Sequence, residues 1–215
     1  MKLPLSELAK KTQDVYERNA DRFDAERLKN LYEAVWLDRF LELLPENGSV
    51  LDLGCGAADP VGIYMMRQGF RVTGVDASNA MLRLARNHAP EGDWRLADMR
   101  RLNLPERFNG IVGWDSFFHL TRDEQRRVLP SLAAHLLSGG VLMLTVGTGD
   151  GEVGGHVGED EVYHSSLSID EYKSILASAG VAVIHFVRED PDCHFRTVLM
   201  ARKSGIADQV RQPSA

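Results

Sequence analysis

The stretch Val50–Pro60, with the sequence Val-Leu-Asp-Leu-Gly-Cys-Gly-Ala-Ala-Asp-Pro, allows the fold to be predicted. A short apolar run typical of a strand is broken by Gly54 and Gly56. Glycine turns without a steric penalty at Cβ and lets a ligand approach the backbone. Asp59 is expected to cap the helix that follows, with Pro60 at its first position. The stretch therefore predicts a strand, a tight glycine turn and the beginning of a helix.

A second acidic position indicates a nucleotide-like ligand. Asp76 lies 20 residues after Gly56, at the end of the strand-like run Arg71–Asp76. An acidic residue at about this distance binds ribose hydroxyls in nucleotide-binding βαβ units. A dinucleotide fits less well, because Ala58 replaces the usual third glycine and the Asp59 carboxylate would repel a pyrophosphate. S-adenosylmethionine has no phosphate and carries a cationic sulfonium and ammonium, so it suits an acidic turn.

The run Leu51–Gly56 resembles the first motif of the class I S-adenosylmethionine-dependent methyltransferases. The order of the predicted elements, five βα units followed by a helix and a β-hairpin, is similar to that family over residues 49–203. The resemblance implies an α/β fold with a doubly wound, mostly parallel seven-stranded sheet that has one antiparallel strand. It also implies S-adenosyl-L-methionine as cofactor, with S-adenosyl-L-homocysteine as product. Residues 114–120, Trp-Asp-Ser-Phe-Phe-His-Leu, resemble the motif after the fourth strand of small-molecule methyltransferases.

Three parts are predicted along the chain. Residues 1–45 form an N-terminal helical cap with helices over Leu5–Asn19 and Phe23–Leu44, residues 46–203 form a Rossmann-like methyltransferase domain, and residues 204–215 form a frayed tail. Ser78 and Thr121 are each expected to cap a helix, the second ending at Leu137, with a glycine turn at 138–140 before the fifth strand. The other predicted helices and strands cover 60–68, 71–76, 78–88, 94–98, 108–114, 141–146 and 168–180.

The last third of the chain has two further features. Gly147–Ser166 is predicted to be a long glycine-rich connection, and loops of this length in a compact domain are usually functional or mobile. Val181–Val187 and Phe195–Arg202 are predicted strands joined by a short turn. Since parallel strands need a long crossover, these two are expected to be antiparallel.

Composition and charge restrict the possible partners. The chain has 215 residues, enough for one well-buried domain, and its formal net charge of −6 offers no basic surface for nucleic acid. No apolar run reaches the ~18 residues of a membrane span, and the N-terminus lacks a signal-peptide core. Cys55 and Cys193 are expected to be reduced thiols. We expect a cytoplasmic protein with a small-molecule substrate and without nucleic-acid or membrane partners; its oligomeric state is not predicted.

The cofactor site is predicted from the rule that open α/β sheets bind ligands beyond the carboxyl ends of their strands. Asp98 follows the third strand and is placed like the acidic residue that meets the adenine amino group in the resembled family. Tyr16 could fold over the ligand from the N-terminal segment, or could only pack that segment onto the domain. The predicted cofactor-binding residues are Tyr16, Asp52, Gly54, Gly56, Asp59, Asp76, Ala77, Met81, Asp98, Met99 and Trp114.

Methyl transfer from a sulfonium is an in-line displacement, and it needs a base only if the acceptor must lose a proton. His119, just past the fourth strand, is the predicted base; the alternative is a histidine that orients its loop. Asp115 is predicted to act with it by binding the acceptor or the cofactor's ammonium, or else to cap a helix. Tyr163 and His164 are predicted substrate-binding residues on a lid, together with His119, unless they lie in a solvated loop. The histidines lack metal-ligand spacing, so no metal is expected.

Two other functions stay open at this point. An NAD-type oxidoreductase could use the same kind of sheet, although the chain has no Tyr-x-x-x-Lys pair of the short-chain dehydrogenase kind and Asp59 disfavours a pyrophosphate. A protein that binds S-adenosylmethionine without catalysis would carry the same motifs. Only an activity assay separates this last class from an enzyme.

Overall fold

The computed structural model describes residues 3–205, and its centre is a seven-stranded sheet. The strand order is β3-β2-β1-β4-β5-β9-β8, and within the described residues β9 alone runs antiparallel to its neighbours. This arrangement confirms the predicted sheet. The strands of the sheet are β1 Ser49–Leu53, β2 Arg71–Asp76, β3 Asp93–Leu96, β4 Phe108–Gly113, β5 Leu136–Val146, β8 Val181–Asp190 and β9 Arg196–Lys203.

The helices cover both faces of the sheet, so side chains on both sides of the central strands are buried. Successive residues of a strand point to opposite faces. In β1, Leu51 and Leu53 join one apolar cluster with α5 and α6, whereas Val50 joins a second with α2, α3 and α4. The helices are α1 Leu5–Glu26, α2 Ala34–Leu41, α3 Val61–Arg67, α4 Asn79–His88, α5 Arg122–His135 and α6 Ile169–Ser178.

The sheet order also determines where a ligand can bind. The chain winds outward from β1 through β2 to β3, and then from β4 to β5 on the other side. The reversal between β1 and β4 opens a crevice at the carboxyl ends of these strands, which is where doubly wound sheets bind their ligands. The residues just after the central strands therefore decide what the protein can bind.

The predicted helix over Phe23–Leu44 is wrong in its first half. The first helix continues to Glu26, and the next begins only at Ala34. Between them Leu31 has a φ of 54°, a left-handed conformation that a continuous helix of L-residues cannot contain. The apolar spacing of this segment matched a helix because its side chains do pack against the domain.

The predicted long connection over Gly147–Ser166 is also wrong, since most of it forms a β-hairpin. β6, Gly151–Val157, pairs antiparallel with β7, Asp160–Ser166. The hairpin packs on α1, where the Tyr163 N–H donates to Thr12 Oγ1 at 2.9 Å and the Asn19 side chain donates to Asp160 at 2.8 Å. The glycines in β6 concealed the strand, because glycine is depleted in ordinary strands.

The helix ends provide three smaller comparisons. Ser78 accepts the Met81 N–H at 3.0 Å, and Thr121 forms a reciprocal capping box, so both predicted caps are confirmed. The predicted cap at Asp59 is wrong: α3 begins at Val61 without a side-chain cap, and Asp59 pairs with Lys29 at 2.9 Å instead.

The fifth strand begins earlier than predicted. α5 ends at His135 and β5 begins at Leu136, so the expected glycine turn is part of an eleven-residue strand with a register shift against β4. Most of the predicted frayed tail, residues 206–215, lies outside the described residues. No helix of residues 3–205 is long and apolar enough to cross a membrane.

Candidate active site

The glycine turn after β1 forms the floor of the site. Gly54 has a φ of 74°, and a Cβ there would lie 2.5 Å from Cβ of Ser116, so only glycine fits. Gly56 has a φ of 52°, and a Cβ there would meet no atom within 4 Å. The N–H groups of Gly54 and Cys55 donate to the carbonyl of Val75 at 2.8 and 3.0 Å, which ties the turn to β2. The open space above Gly56 belongs to a cavity.

This cavity, called cavity 1 below, has a volume of about 160 Å³ and lies at the carboxyl ends of β1, β2 and β4. Every residue predicted to bind the cofactor lines it, and so do His119 and Asp115. Helix α1 lies over it: Gln13 donates to the carbonyl of Ala77 at 3.0 Å, and Glu17 accepts from the Ser78 hydroxyl at 2.6 Å. The structure therefore brings together residues from five separate segments of the sequence, 9–27, 52–61, 75–81, 97–100 and 114–120.

Asp76 links the turns after β1 and β2. Its carboxylate accepts the N–H of Gly56 at 2.9 Å and the N–H of Ser78 at 2.8 Å. Burial raises the pKa of Asp76 above its ordinary value, although these backbone donors favour the ionised form. A carboxylate oxygen has more than one lone pair, so Asp76 can still accept hydrogen bonds from a ligand.

Three residues that line cavity 1 each have a buried polar atom without a hydrogen-bond partner among the described residues: Oδ1 of Asp24, which is ion-paired with Lys29, Oδ2 of Asp52 and Nε1 of Trp114. Asp52 is 2% exposed, and burial together with the nearby Asp76 charge raises its pKa to about 7. Buried polar groups are nearly always hydrogen-bonded in folded proteins. Unpaired polar atoms on residues that line a cavity favour a ligand that has polar groups of its own.

Asp98 and Arg100 form an ion pair at the edge of cavity 1. Asp98 accepts from Nε of Arg100 at 2.8 Å, and Arg100 also donates to Gln13 on α1 at 2.7 Å. Partial burial works against the Asp98 charge, but the hydrogen bonds of Arg100 outweigh it and the pKa of Asp98 lies below its ordinary value. Asp98 is thus ionised, and its position is held from α1.

His119 has partners on both ring nitrogens. Nδ1 donates to the carbonyl of Tyr163 at 2.9 Å, because a carbonyl can only accept. Nε2 must then accept from the Tyr16 hydroxyl, 2.8 Å away. Burial lowers the pKa of His119 to about 4 and raises that of Tyr16 above its ordinary value. His119 is therefore a neutral imidazole that connects α1 to β7.

Asp115 does not cap a helix, so that one of its two predicted roles is wrong. Its carboxylate accepts two hydrogen bonds from Arg196, at 2.8 and 2.9 Å, and the Tyr32 hydroxyl lies 3.4 Å from it. Its backbone N–H donates to Thr145 Oγ1 at 2.7 Å and its φ is 50°, so the loop turns sharply there. This geometry holds the carboxylate and Arg196 together between two cavities.

The second cavity, cavity 2, has a volume of about 360 Å³ and adjoins the first. Tyr16, Phe23, Arg27 and Asp115 line both, so a ligand in one would meet a ligand in the other at these side chains. Its full lining is Tyr16, Asn19, Arg22, Phe23, Glu26, Arg27, Leu28, Tyr32, Asp115, Phe118, His156, Val157, Gly158, His164, His194 and Arg196.

The two predicted lid residues are separated by the hairpin. His164 lines cavity 2 and its ring lies 4.9 Å from that of His119. Tyr163 lines neither cavity; its side chain is 1% exposed and its hydroxyl donates to Glu152. Adjacent strand residues point to opposite faces, which explains why the prediction is wrong for the side chain of Tyr163. Its carbonyl still reaches the site through His119.

Several residues of cavity 2 were not predicted as site residues. Arg27 and Tyr32 lie in the bend between α1 and α2 that was predicted to be helix. His194 and Arg196 lie where β9 begins, and an antiparallel strand begins at the edge where its parallel neighbours end. That rule could have located Arg196 from the sequence. Among residues 3–205, no cluster of His, Cys, Asp or Glu could hold a metal ion.

The buried carboxyl of Asp52 predicts a pH-dependent stability. Its folded pKa of about 7 lies above its ordinary value of 3.8, so its contribution to stability is full below pH 3.8 and is lost as the pH rises to 7. Asp52→Asn removes this proton uptake. Chemical denaturation should show that the free energy of unfolding of Asp52→Asn rises relative to that of the wild type between pH 4 and 7. The rise should be at most about 1.4 kcal/mol per pH unit, with no further rise above pH 7. A constant difference across this range would contradict the assignment.

Comparisons with known proteins agree with this geometry. A family model described as a methyltransferase domain matches residues 50–140. A dTDP-4-amino-2,3,4,6-tetradeoxy-D-glucose N,N-dimethyltransferase from Saccharopolyspora spinosa is 32% identical over 103 residues, which are 47% of this chain and 41% of that protein. A trans-aconitate 2-methyltransferase from Azoarcus sp. (strain BH72) is 33% identical over 107 residues, 47% of this chain and 40% of that protein. The matched regions thus span less than half the length of these curated relatives.

Solved structures are similar over most of the chain. An amino pentose methyltransferase from Micromonospora echinaspora, solved with bound S-adenosylmethionine, superposes with a TM-score of 0.67 at 22% identity and covers 88% of this chain and 97% of that one. At this identity the likeness establishes the fold. Fold, site motif and family model agree: residues 50–140 match a methyltransferase domain, and the fold is similar to that of S-adenosylmethionine-dependent methyltransferases among the solved structures.

Proposed function

We propose that the protein transfers a methyl group from S-adenosyl-L-methionine in cavity 1 to a small molecule in cavity 2. The observation that carries this proposal is the pair of adjoining cavities, one with an acidic wall and both sharing Tyr16, Phe23, Arg27 and Asp115. A volume of about 360 Å³ suits a small acceptor. The in-line displacement needs donor and acceptor held in contact, which two adjoining cavities provide.

The residues of cavity 1 fit this cofactor. We propose that Asp76 accepts hydrogen bonds from the two ribose hydroxyls, and that Asp52, whose Oδ2 has no hydrogen-bond partner among the described residues, accepts from the ammonium. The open space over Gly56 lets the cofactor lie against the backbone. When bound, S-adenosylmethionine supplies a methyl group activated by its sulfonium. Binding a cation also favours the ionised form of Asp52.

The same residues disfavour a nicotinamide dinucleotide. Asp52, Asp59 and Asp76 all line cavity 1, and three carboxylates would repel a pyrophosphate unless they were protonated. Helix α3 has seven residues, begins at Val61 and offers a short dipole. The acidic wall thus supports a cationic cofactor over an anionic one, and a binding measurement separates the two.

The contacts of His119 support a positioning role and not the predicted role of a base. Both ring nitrogens are engaged, and the pKa of about 4 makes the imidazole a weak proton acceptor. By accepting from the Tyr16 hydroxyl, His119 holds α1 over the boundary of the two cavities. Asp115 is correspondingly proposed to hold Arg196 in the wall of cavity 2.

The names of the relatives support a small-molecule acceptor, but they do not agree on its chemical class. The matched proteins are called an amino-sugar N,N-dimethyltransferase and a trans-aconitate 2-methyltransferase, and an amine and an acid are different acceptors. Because the chain has a formal net charge of −6, we propose that it binds neither nucleic acid nor a membrane. Cys55 and Cys193 are free thiols, which fits the proposed cytoplasmic location.

The cofactor assignment predicts a specific loss of affinity in Asp76→Asn. Calorimetry should show S-adenosylhomocysteine binding to the wild type with no comparable heat from NAD. The variant should bind more weakly by about 1.5–3 kcal/mol, the scale of hydrogen bonds to a charged group. Asp93→Asn, which alters an exposed carboxylate paired with Arg95, should bind like the wild type. NAD binding with no response to S-adenosylhomocysteine would refute the assignment.

The cap over the cavities predicts protection on ligand binding. We propose that helix α1 of the N-terminal helical cap and the hairpin β6–β7 move together as a lid, since the Tyr163 N–H and the side chain of Asn19 join them. Closure would exclude water and align the acceptor. Hydrogen exchange of both segments should slow when S-adenosylhomocysteine is added, while exchange in α6, which lines neither cavity, stays unchanged. Equal exchange with and without ligand would show that they are ordinary surface structure.

A further inference from the structure

The charged groups of cavity 2 are unequally divided. Three arginines line it, Arg22, Arg27 and Arg196, against two carboxylates, Glu26 and Asp115. Arg22 is paired with Glu26 at 2.7 Å and Arg196 with Asp115 at 2.8 Å. The third arginine is paired with a carboxylate that lines neither cavity. The lining therefore carries a formal excess of one positive charge, which favours a negatively charged guest.

The partner of Arg27 explains how this excess is maintained. Arg27 donates to Oε1 of Glu33 at 3.0 Å, and the side chain of Glu33 is 0% exposed. The positive end of the pair faces the cavities, while the negative end is buried behind the wall in the bend between α1 and α2. An acceptor in cavity 2 therefore meets the guanidinium of Arg27 and not its counter-ion.

Imidazole hydrogen-bond donors add to this wall. His156, His164 and His194 line cavity 2, and in the described part of the chain no protein atom hydrogen-bonds their ring nitrogens. His164 lies with its ring 4.7 Å from Phe118, and His194 lies 4.3 Å from the ring of Tyr32. Each imidazole can donate an N–H to an oxygen of a guest. Their aromatic neighbours would contact the flat or apolar part of the same guest.

The titratable groups at the boundary of the two cavities, Tyr16, His119 and Asp115, are all engaged by protein partners, and His164, whose ring nitrogens have none among the described residues, lines only cavity 2. The Tyr16 hydroxyl donates to His119, whose other nitrogen donates to the carbonyl of Tyr163. Asp115 is engaged by both nitrogens of the Arg196 guanidinium that face it. An acceptor methylated here should therefore react in the form in which it binds. A hydroxyl or a protonated amine would first have to lose a proton.

From the excess of cationic and imidazole donors and from the occupied bases, we propose that the acceptor is a small carboxylic acid, bound as its carboxylate and methylated on oxygen. This inference rests on the proposed function. Arg196 and Arg27 hold the charge of the acceptor at the boundary with cavity 1, and His164 and His194 donate hydrogen bonds from the outer wall. The product is a methyl ester.

The reaction balances without a proton donor or acceptor. A lone pair of the carboxylate oxygen forms the new O–CH₃ bond while the S–CH₃ bond breaks, and the bonding pair of that bond stays on sulfur. A cation and an anion give two products without those charges, S-adenosylhomocysteine and an ester. Loss of opposite charges inside a water-excluded site requires no general base, which agrees with the neutral and fully engaged His119.

The proposal is tested with radiolabelled S-adenosyl-[methyl-³H]methionine and a panel of aliphatic and aromatic carboxylic acids, each with its matched amide, alcohol and amine. Methyl esters are cleaved by brief alkaline treatment, so the label should become volatile as methanol only in the acid reactions. Calorimetry with the same acids, on protein saturated with S-adenosylhomocysteine, should detect their binding independently of turnover. Label that remains non-volatile in an amine or alcohol product would overturn the proposal.

Variants locate the binding groups. Arg196→Gln and His164→Gln should each raise the KM for the acid, the first at least tenfold, and should weaken its calorimetric affinity to match, while the affinity for S-adenosylhomocysteine stays unchanged. Arg202→Gln on the same strand β9 should behave like the wild type, because the Arg202 side chain donates to the carbonyl of Gly139 and lines neither cavity. If Arg196→Gln does not fold, His164→Gln carries the test. An unchanged KM in a folded variant would overturn the proposal.

The outcomes distinguish the acceptor class from the proposed function. If S-adenosylhomocysteine binds but the methylated compound is an amine or an alcohol, or no acid of the panel binds or is methylated, the carboxylate proposal fails and the cofactor assignment stands. If the wild type does not bind S-adenosylhomocysteine at all, the proposed function fails first. Base-labile label together with acid binding supports both.

Discussion

The carboxylate of Asp76 is the interaction on which the rest of the site depends. It accepts N–H groups from the turn after β1, at Gly56, and from the turn after β2, at Ser78. These two turns form the floor and one wall of cavity 1, and the hydroxyl of Ser78 in turn donates to Glu17 of α1. One buried carboxylate thus connects the central strand, its neighbour and the helix that covers them. Its cost of burial is offset by these backbone donors and, in the proposed complex, by the ribose hydroxyls.

The second constraint is the set of hydrogen bonds at the boundary of the two cavities. Helix α1 supplies Tyr16, whose hydroxyl donates to His119, and His119 in turn donates to the carbonyl of Tyr163 in the hairpin. Beside this chain of contacts, Asp115 holds Arg196 against the boundary. The groups that would otherwise serve as bases are therefore used to position side chains. This explains how a site can favour transfer by alignment and electrostatics without a proton relay.

Much of the sheet and of cavity 1 could be predicted from the sequence because the relevant signals are local. The glycine turn, the spacing to Asp76 and the caps at Ser78 and Thr121 each depend on a few neighbouring residues. Even the replaced glycine fits this account: Ala58 adopts a φ of 64°, so the backbone keeps the left-handed conformation that the family pattern implies. The sequence-predicted cofactor residues all line cavity 1 for this reason.

Cavity 2 could not be predicted because its wall depends on long-range packing. The helix pattern of the N-terminal segment continues through the bend that places Arg27, since burial of apolar side chains does not reveal a break at Leu31. The hairpin that places His164 pairs β7 with the glycine-rich strand β6 and is held by α1. Arg196 lies at the start of β9, which follows α6 and β8 in the chain. Only the assembled sheet brings these residues to the same edge.

The central claim is that one ligand occupies cavity 1 with its reactive centre facing cavity 2. A crystal structure of the S-adenosylhomocysteine complex tests it most directly. The account predicts ribose hydroxyls hydrogen-bonded to Asp76, the ammonium beside Asp52, and the sulfur at the boundary formed by Tyr16 and Asp115. A complex in which the sulfur faces away from that boundary, or in which Asp76 contacts no ribose hydroxyl, would contradict it.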